Sequence, residues 1–164
     1  MNDAVAALRA GQAVIIPTDT VYGLVVLPGN EELLYELKNR DRSKPIALIA
    51  AEIDALPPAL DRAKLEPYLP GPYTLVLDGT GVRVPDLPPE AAEVVRAVGL
   101  VAATSANLSG GPDPRRVEDI PEAIRARVGA IVDVGELPGV PSTVIDVSGP
   151  KPVVLRQGAG RLVS

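Results

Sequence analysis

At 164 residues the chain suits one domain of ordinary size and is too short for two independent cores. Its 16 Lys plus Arg against 21 Asp plus Glu give a net charge of -5, so it lacks the global basic field of a large nucleic-acid binder, and its four Tyr are too few for a stacking platform. With neither Cys nor His, the chain has no disulfides, thiolate nucleophiles, usual zinc ligands or imidazole bases.

No stretch approaches the roughly 18 uninterrupted apolar residues of a membrane span, so a cytoplasmic protein without a membrane partner is expected. Residues 3–10 read as a short amphipathic helix closed by Gly11, and Ala13 to Ile16 as a β-branched strand. A second strand is expected over 21–27. Asn30 can cap a helix over 31–39 that turns Leu33, Leu34 and Leu37 inward, and 46–50 returns as a buried strand. Residues 52–70 are helical but interrupted by Pro. Tyr73 to Leu77 and Gly81 to Val84 flank the turn Asp78-Gly79-Thr80 as a hairpin. Pro89 and Gly99 bracket a helix over 90–98 that leads into a strand over 100–103, and 121–128 repeats the helical pattern before a strand at 131–134. Strands over 143–147 and 153–156 complete the series. Hairpins mixed with helical crossovers predict an α/β (mixed α+β) fold, a single domain over 1–164 with one twisted open mixed sheet and helices on both faces.

Several polar segments interrupt these apolar runs. Pro17-Thr18-Asp19-Thr20-Val21-Tyr22-Gly23 is either a hydroxyl-rich turn or a ligand loop. Lys38, Arg40, Arg42 and Lys44 place four cations within seven residues, as an anion site or as a solvated helix end that complements the dipole. Lys38 and Arg40 can converge on one ligand only if the helix ends between them, and Pro45 favours such an exit. In Thr104-Ser105-Ala106-Asn107-Leu108-Ser109-Gly110-Gly111 a strand ends in hydroxyls, an amide and glycines that could cradle a phosphate or simply form a surface loop. Arg83 and Arg156 sit beside apolar strand residues, where simple alternation makes them solvent-facing.

Together these segments resemble the YrdC-like threonylcarbamoyl-AMP synthase family, in its short single-domain form. The resemblance runs from about Ala13 to Gly158 and rests on Lys38-Asn39-Arg40 followed far downstream by Ser105-Ala106-Asn107. It also rests on 17–23, Pro70-Gly71-Pro72, Val82-Arg83-Val84-Pro85, Ser142-Thr143-Val144 and Leu155-Arg156. One departure is Asp41, where many relatives have Pro, which adds a carboxylate beside the cations. The resemblance implies a concave cavity on an open sheet and a nucleotidyltransferase that makes threonylcarbamoyl-AMP and pyrophosphate from L-threonine, bicarbonate and ATP, for modification of tRNA.

By the same resemblance Lys38 and Arg40 are catalytic, Arg40, Lys44, Ser105, Asn107 and Arg156 bind ATP, and Thr20, Arg83 and Ser142 grip threonine. Arg83 suits a bidentate bond to the threonine carboxylate. Magnesium would come with ATP, no metal site of the chain's own is implied, and the product would pass to a downstream tRNA-modifying transferase complex. The acidic charge leaves no tight tRNA binding by the chain alone. Two alternatives stay open, an RNA-binding module of the same fold and a paralogue that uses another carbamoyl or nucleotide substrate.

Read as exposed cations, Lys38 and Arg40 predict that each change to Ala lowers activity strongly. Each would shift stability by no more than about half a kcal/mol. Turnover assays paired with thermal melts check both halves.

Overall fold

A computed structural model describes residues 2–39, 41 and 46–161. Helix α1 (Asn2–Arg9) ends before Gly11, whose φ of +85 only glycine adopts without strain, and the chain turns into β1 (Val14–Ile16) and β2 (Gly23–Val26). Helix α2 (Glu31–Lys38) and β3 (Ala47–Ile49) follow. The expected helical stretch over 52–70 reduces to a 3-10 turn at Ile53–Ala55 and one helical turn, α3 (Arg62–Leu65), because prolines limit each piece. Next come β4 (Tyr73–Leu77), β5 (Thr80–Arg83), α4 (Pro89–Val98), β6 (Val101–Ser105) and α5 (Glu122–Arg125). The chain then closes with β7 (Ala130–Ile131), β8 (Thr143–Asp146) and β9 (Val153–Arg156).

The nine strands of the described residues join one mixed sheet in the order β7-β1-β2-β6-β3-β5-β4-β8-β9. The β1–β7, β3–β5 and β4–β8 pairs are parallel, and β1–β2, β2–β6, β3–β6, β4–β5 and β8–β9 are antiparallel. Helices cover both faces, as the sequence leads one to expect. On one, Ile15, Leu24 and Ala102 pack against Leu34 and Leu37 of α2 and Ile124 of α5. Register carries that face across Leu48 to Val82, Leu75 and Ile145, which pack against Leu65 of α3. On the other, Val14, Ile16, Val25 and Ala103 meet Ala4 and Leu8 of α1 and Ala91 and Val95 of α4.

This second face extends by register from Ala103 through Ala47 and Gly81 to Val76, and these four residues line a cavity. Their small size opens the space. A Cβ on Gly81 would sit 3.4 Å from the Ala47 Cα and Cβ, so a larger side chain there would crowd the floor.

The expected strand over 131–134 stops at Ile131, although Val132 still donates its N–H to the Ile15 carbonyl. Beyond it the Val134 N–H turns to the Tyr22 hydroxyl at 3.0 Å, and that hydroxyl donates to the Gly135 carbonyl at 2.7 Å. Tyr22 is fully buried, so its ring anchors the 17–23 segment while its hydroxyl ties that segment to residues 134 and 135. No helix among the described residues is long and apolar enough to cross a membrane.

Tyr22→Phe keeps the ring and removes the hydroxyl that holds the Val134 N–H and the Gly135 carbonyl. It is expected to cost about 0.5–1.5 kcal/mol in chemical denaturation. A loss below about half a kcal/mol would show that the hydroxyl anchors nothing.

Candidate active site

The cavity encloses about 250 Å³ and is walled by Thr20, Arg83, Ser105, Ser142 and Arg156, five residues far apart in sequence. One wall is the loop after β1. Thr18 Oγ1 donates to the Val21 carbonyl at 2.7 Å and accepts from the Thr20 N–H at 3.1 Å and the Val21 N–H at 3.3 Å. Its single hydrogen is thereby used, and Thr20 Oγ1 lies 3.1 Å away. Thr18 is a buried latch that fixes the turn, whereas Thr20 keeps acceptor capacity on the cavity side.

Arg83 supplies the next group. Alternation along β5 buries Val82 and, just after the strand, Val84, and sends Arg83 to the opposite face. That face is the cavity and not solvent, which corrects the alternation reading: the Arg83 side chain is only 13% exposed. Its Nη2 donates to Thr20 Oγ1 at 3.3 Å and stands 3.6 Å from Asp19 Oδ1. Among the described residues neither Arg83 Nε nor Asp19 Oδ1 has a hydrogen-bond partner, although both atoms are buried. Burial pushes the guanidinium below its ordinary pKa, Asp19 opposes that and Arg156 adds to it. Burial likewise pushes the Asp19 carboxyl up, against the Asp86 N–H and Arg83.

On the far side, Arg156 sits on the exposed edge strand β9 and is tied down by Ser142. Its Nε and Nη2 donate to the Ser142 carbonyl at 3.1 and 2.8 Å, and Nη2 also reaches Ser142 Oγ at 3.2 Å. Ser142 Oγ and Thr74 Oγ1 share one hydrogen bond of 2.7 Å, which uses one of their two hydrogens and leaves the other for a ligand.

Lys38 comes from below the end of β6. Helix α2 stops at Lys38 because Asn39 turns left-handed (φ 52, ψ 46), so the helix ends after Lys38, as convergence with Arg40 on one ligand requires. The Lys38 ammonium donates to Asn107 Oδ1 and the Ser105 carbonyl, both at 2.8 Å, to Thr104 Oγ1 at 3.0 Å and to Ser105 Oγ at 3.3 Å. Ser105 Oγ in turn donates to Asn107 Oδ1 at 2.7 Å, and Asn107 Nδ2 donates to the Gly111 carbonyl at 2.8 Å.

One sequence-based reading changes here. Lys38 is 1% exposed and not a solvated cation, since the short reach from the helix end to β6 buries its whole stem. Ser105 and Asn107 hold Lys38 and the 107–111 turn together. Arg40 and Lys44 lie outside the described residues. Asp19, Thr74 and Asp113 were not singled out by sequence. Thr74 was detectable as the hydroxyl at an outward position of β4 just after Pro70-Gly71-Pro72, and Asp19 as the acid inside the threonine pair. Among the described residues no group of three or more His, Cys, Asp or Glu is placed to hold a metal, and Asp113 is the carboxylate of the cavity wall.

Residues 6–158 match the Sua5/YciO/YrdC family model, described as telomere recombination. The chain is 35% identical to a threonylcarbamoyl-AMP synthase of Bacillus subtilis, over 94% of this chain and 52% of that protein. It is 33% identical to a threonylcarbamoyl-AMP synthase of Vibrio campbellii, over 93% of this chain and 95% of that one. The structure of Pyrococcus abyssi Sua5 complexed with L-threonine is similar at a TM-score of 0.81 and 30% identity, covering 94% of this chain and 53% of that one. The chain thus spans about half the length of the Bacillus and Pyrococcus relatives.

The burial of Lys38 revises the outcome expected for its removal. Lys38→Ala leaves four oxygens facing an empty stem, so activity loss should come with a stability loss of about 2–4 kcal/mol. Denaturant titration checks this, and a midpoint equal to that of the parent would return Lys38 to the role of a surface charge.

Proposed function

Because the chain belongs to the Sua5/YciO/YrdC family, we propose that it joins L-threonine, bicarbonate and ATP into threonylcarbamoyl-AMP, releasing pyrophosphate. The observation that carries this reading is the convergence on one cavity of Thr20, Arg83, Ser142 and Arg156, with Lys38 bound to its wall through Ser105. Arg83 presents an unpaired donor suited to a carboxylate, and Thr20 presents acceptor capacity beside it suited to a hydroxyl. A β-hydroxy amino acid carries both groups.

In the proposed reaction the threonine amine and bicarbonate form a carbamate with loss of water. The carbamate oxygen then attacks the α-phosphorus of ATP, and pyrophosphate leaves. The substrate supplies its own nucleophile, so a chain without His or Cys need only position the reactants and stabilise charge. Arg156 at the rim, the Lys38 charge below β6, and Arg40 and Lys44 are the cations for the phosphates and the carbamate. Magnesium would arrive with the nucleotide. A site with one carboxylate, Asp113, fits an ion held mainly by phosphate oxygens, and the ion's part would be to shield their charge. The product would pass to a separate transferase complex acting on tRNA, with no tight tRNA binding by this chain.

The test is pyrophosphate release with ATP, bicarbonate and a panel of amino acids, with the adenylate identified by mass. Threonine should be preferred over valine by at least about tenfold, because the isostere leaves the Thr20 acceptor unpaired. Equal release with valine, or release without any amino acid, would overturn the assignment.

A further inference from the structure

Asp19 has no role in the reaction outlined above, yet it stands closest in charge to the cation assigned to the substrate carboxylate. It lines a separate recess with Asp86, Pro70 and Pro138, whereas Arg83 lines the main cavity, so the carboxylate backs the guanidinium from the far side. Asp19 Oδ2 accepts the Asp86 N–H at 3.0 Å, which fixes the carboxylate against the segment that leaves β5. Its Oδ1 faces Arg83 Nη2 at 3.6 Å, too far for a hydrogen bond and near enough for charge pairing. The guanidinium is thus restrained at one nitrogen by Asp19 and Thr20 while its Nε stays uncommitted.

We propose that Asp19 is the positioning residue for Arg83, holding the buried guanidinium by charge at one corner so that its remaining donors stay aimed at the carboxylate of an α-amino acid. This rests on the reading of the cavity as an amino-acid site. A tight bidentate Asp–Arg pair would consume the donors that recognition needs, and no partner at all would leave a buried cation uncompensated and free to swing. The spacing found here avoids both. The other charges that bear on Arg83 and Asp19 are Arg156 on β9 and Asp86 beyond β5.

The sign of one change separates positioning from bare charge. Asp19→Asn removes a negative charge behind Arg83, which by charge alone would tighten the binding of any carboxylate. If Asp19 positions Arg83, binding instead weakens.

Calorimetric titration of the whole chain with L-threonine and with L-threoninol, which lacks the carboxylate, reads this directly. In D19N the affinity for L-threonine should fall by about tenfold, the scale of one modest polar contact, while that for L-threoninol stays within about twofold of the parent. D19E, which keeps the charge, should restore most of the preference for threonine. Tighter or unchanged threonine binding in D19N, or an equal loss for both ligands, would overturn the role of Asp19 and leave the amino-acid site standing. A parent that binds no L-threonine would remove the amino-acid reading and this inference with it. If D19N does not fold, a folded D19E with no preference for threonine over threoninol has the same overturning force.

Discussion

The Lys38 ammonium lies where three segments meet that are remote in sequence: the end of α2, the end of β6 and the turn from Asn107 to Gly111. A charge taken out of water must find oxygens, and the backbone carbonyl of Ser105 with the side chains of Thr104, Ser105 and Asn107 supplies them. The constraint runs both ways. These oxygens need donors once β6 ends and its ladder no longer serves them, and the ammonium has three hydrogens to give. The strand end therefore cannot settle without the helix end. The wall that carries Ser105 inherits its position from this contact.

Seen from that junction, the charge of the molecule divides sharply. The chain as a whole is acidic at -5, yet Arg83 and Arg156 line the cavity and Lys38 stands behind its wall. Lys38 donates to the oxygens of Thr104, Ser105 and Asn107, Arg156 is tied to a carbonyl and a hydroxyl, and Arg83 has a carboxylate at a distance. Potential at an enclosed site depends on such local arrangements far more than on net charge, because low-dielectric walls weaken screening. An anion can be drawn to this cavity although the protein at large would repel it.

The elements were legible in the sequence because their signals are local. Gly11 and Gly99 closed helices, Pro89 opened one, and β-branched runs marked strands whose limits proved right to within a few residues over most of the chain. One shortfall falls where a long-range contact intervenes, as the Tyr22 hydroxyl draws Val134 off the strand at 131. The site was legible as a set of residue types and much less as an arrangement. Alternation showed that Arg83 faces away from Val82, but only the sheet order reveals that this face is a cavity. Lys38 looked solvated because nothing in residues 31–39 says that β6 ends within reach of its stem. Asp19 hid between two threonines that suffice to explain a turn, and its partner lies sixty-four positions later, beyond any local pattern.

The hydrogen atoms themselves then limit what this cavity can recognise. Thr18 spends its hydrogen on the Val21 carbonyl, and Ser105 spends its on Asn107. What these bonds leave toward a ligand includes the unpaired Arg83 Nε, one hydrogen from the Thr74 and Ser142 pair, and acceptor capacity at Thr20. Donors for anions thus stand beside an acceptor for a hydroxyl or an amine. Asp113, the carboxylate of the wall, is already within 3.5 Å of Asn107 Nδ2, and imidazole and thiol are missing from the whole sequence. Such a surface is poorly equipped to move protons and well equipped to hold charged groups still. Under the proposed reaction that is sufficient, since the attacking oxygen is already anionic when it meets the α-phosphorus and the barrier is set by alignment and by the charge on the phosphates.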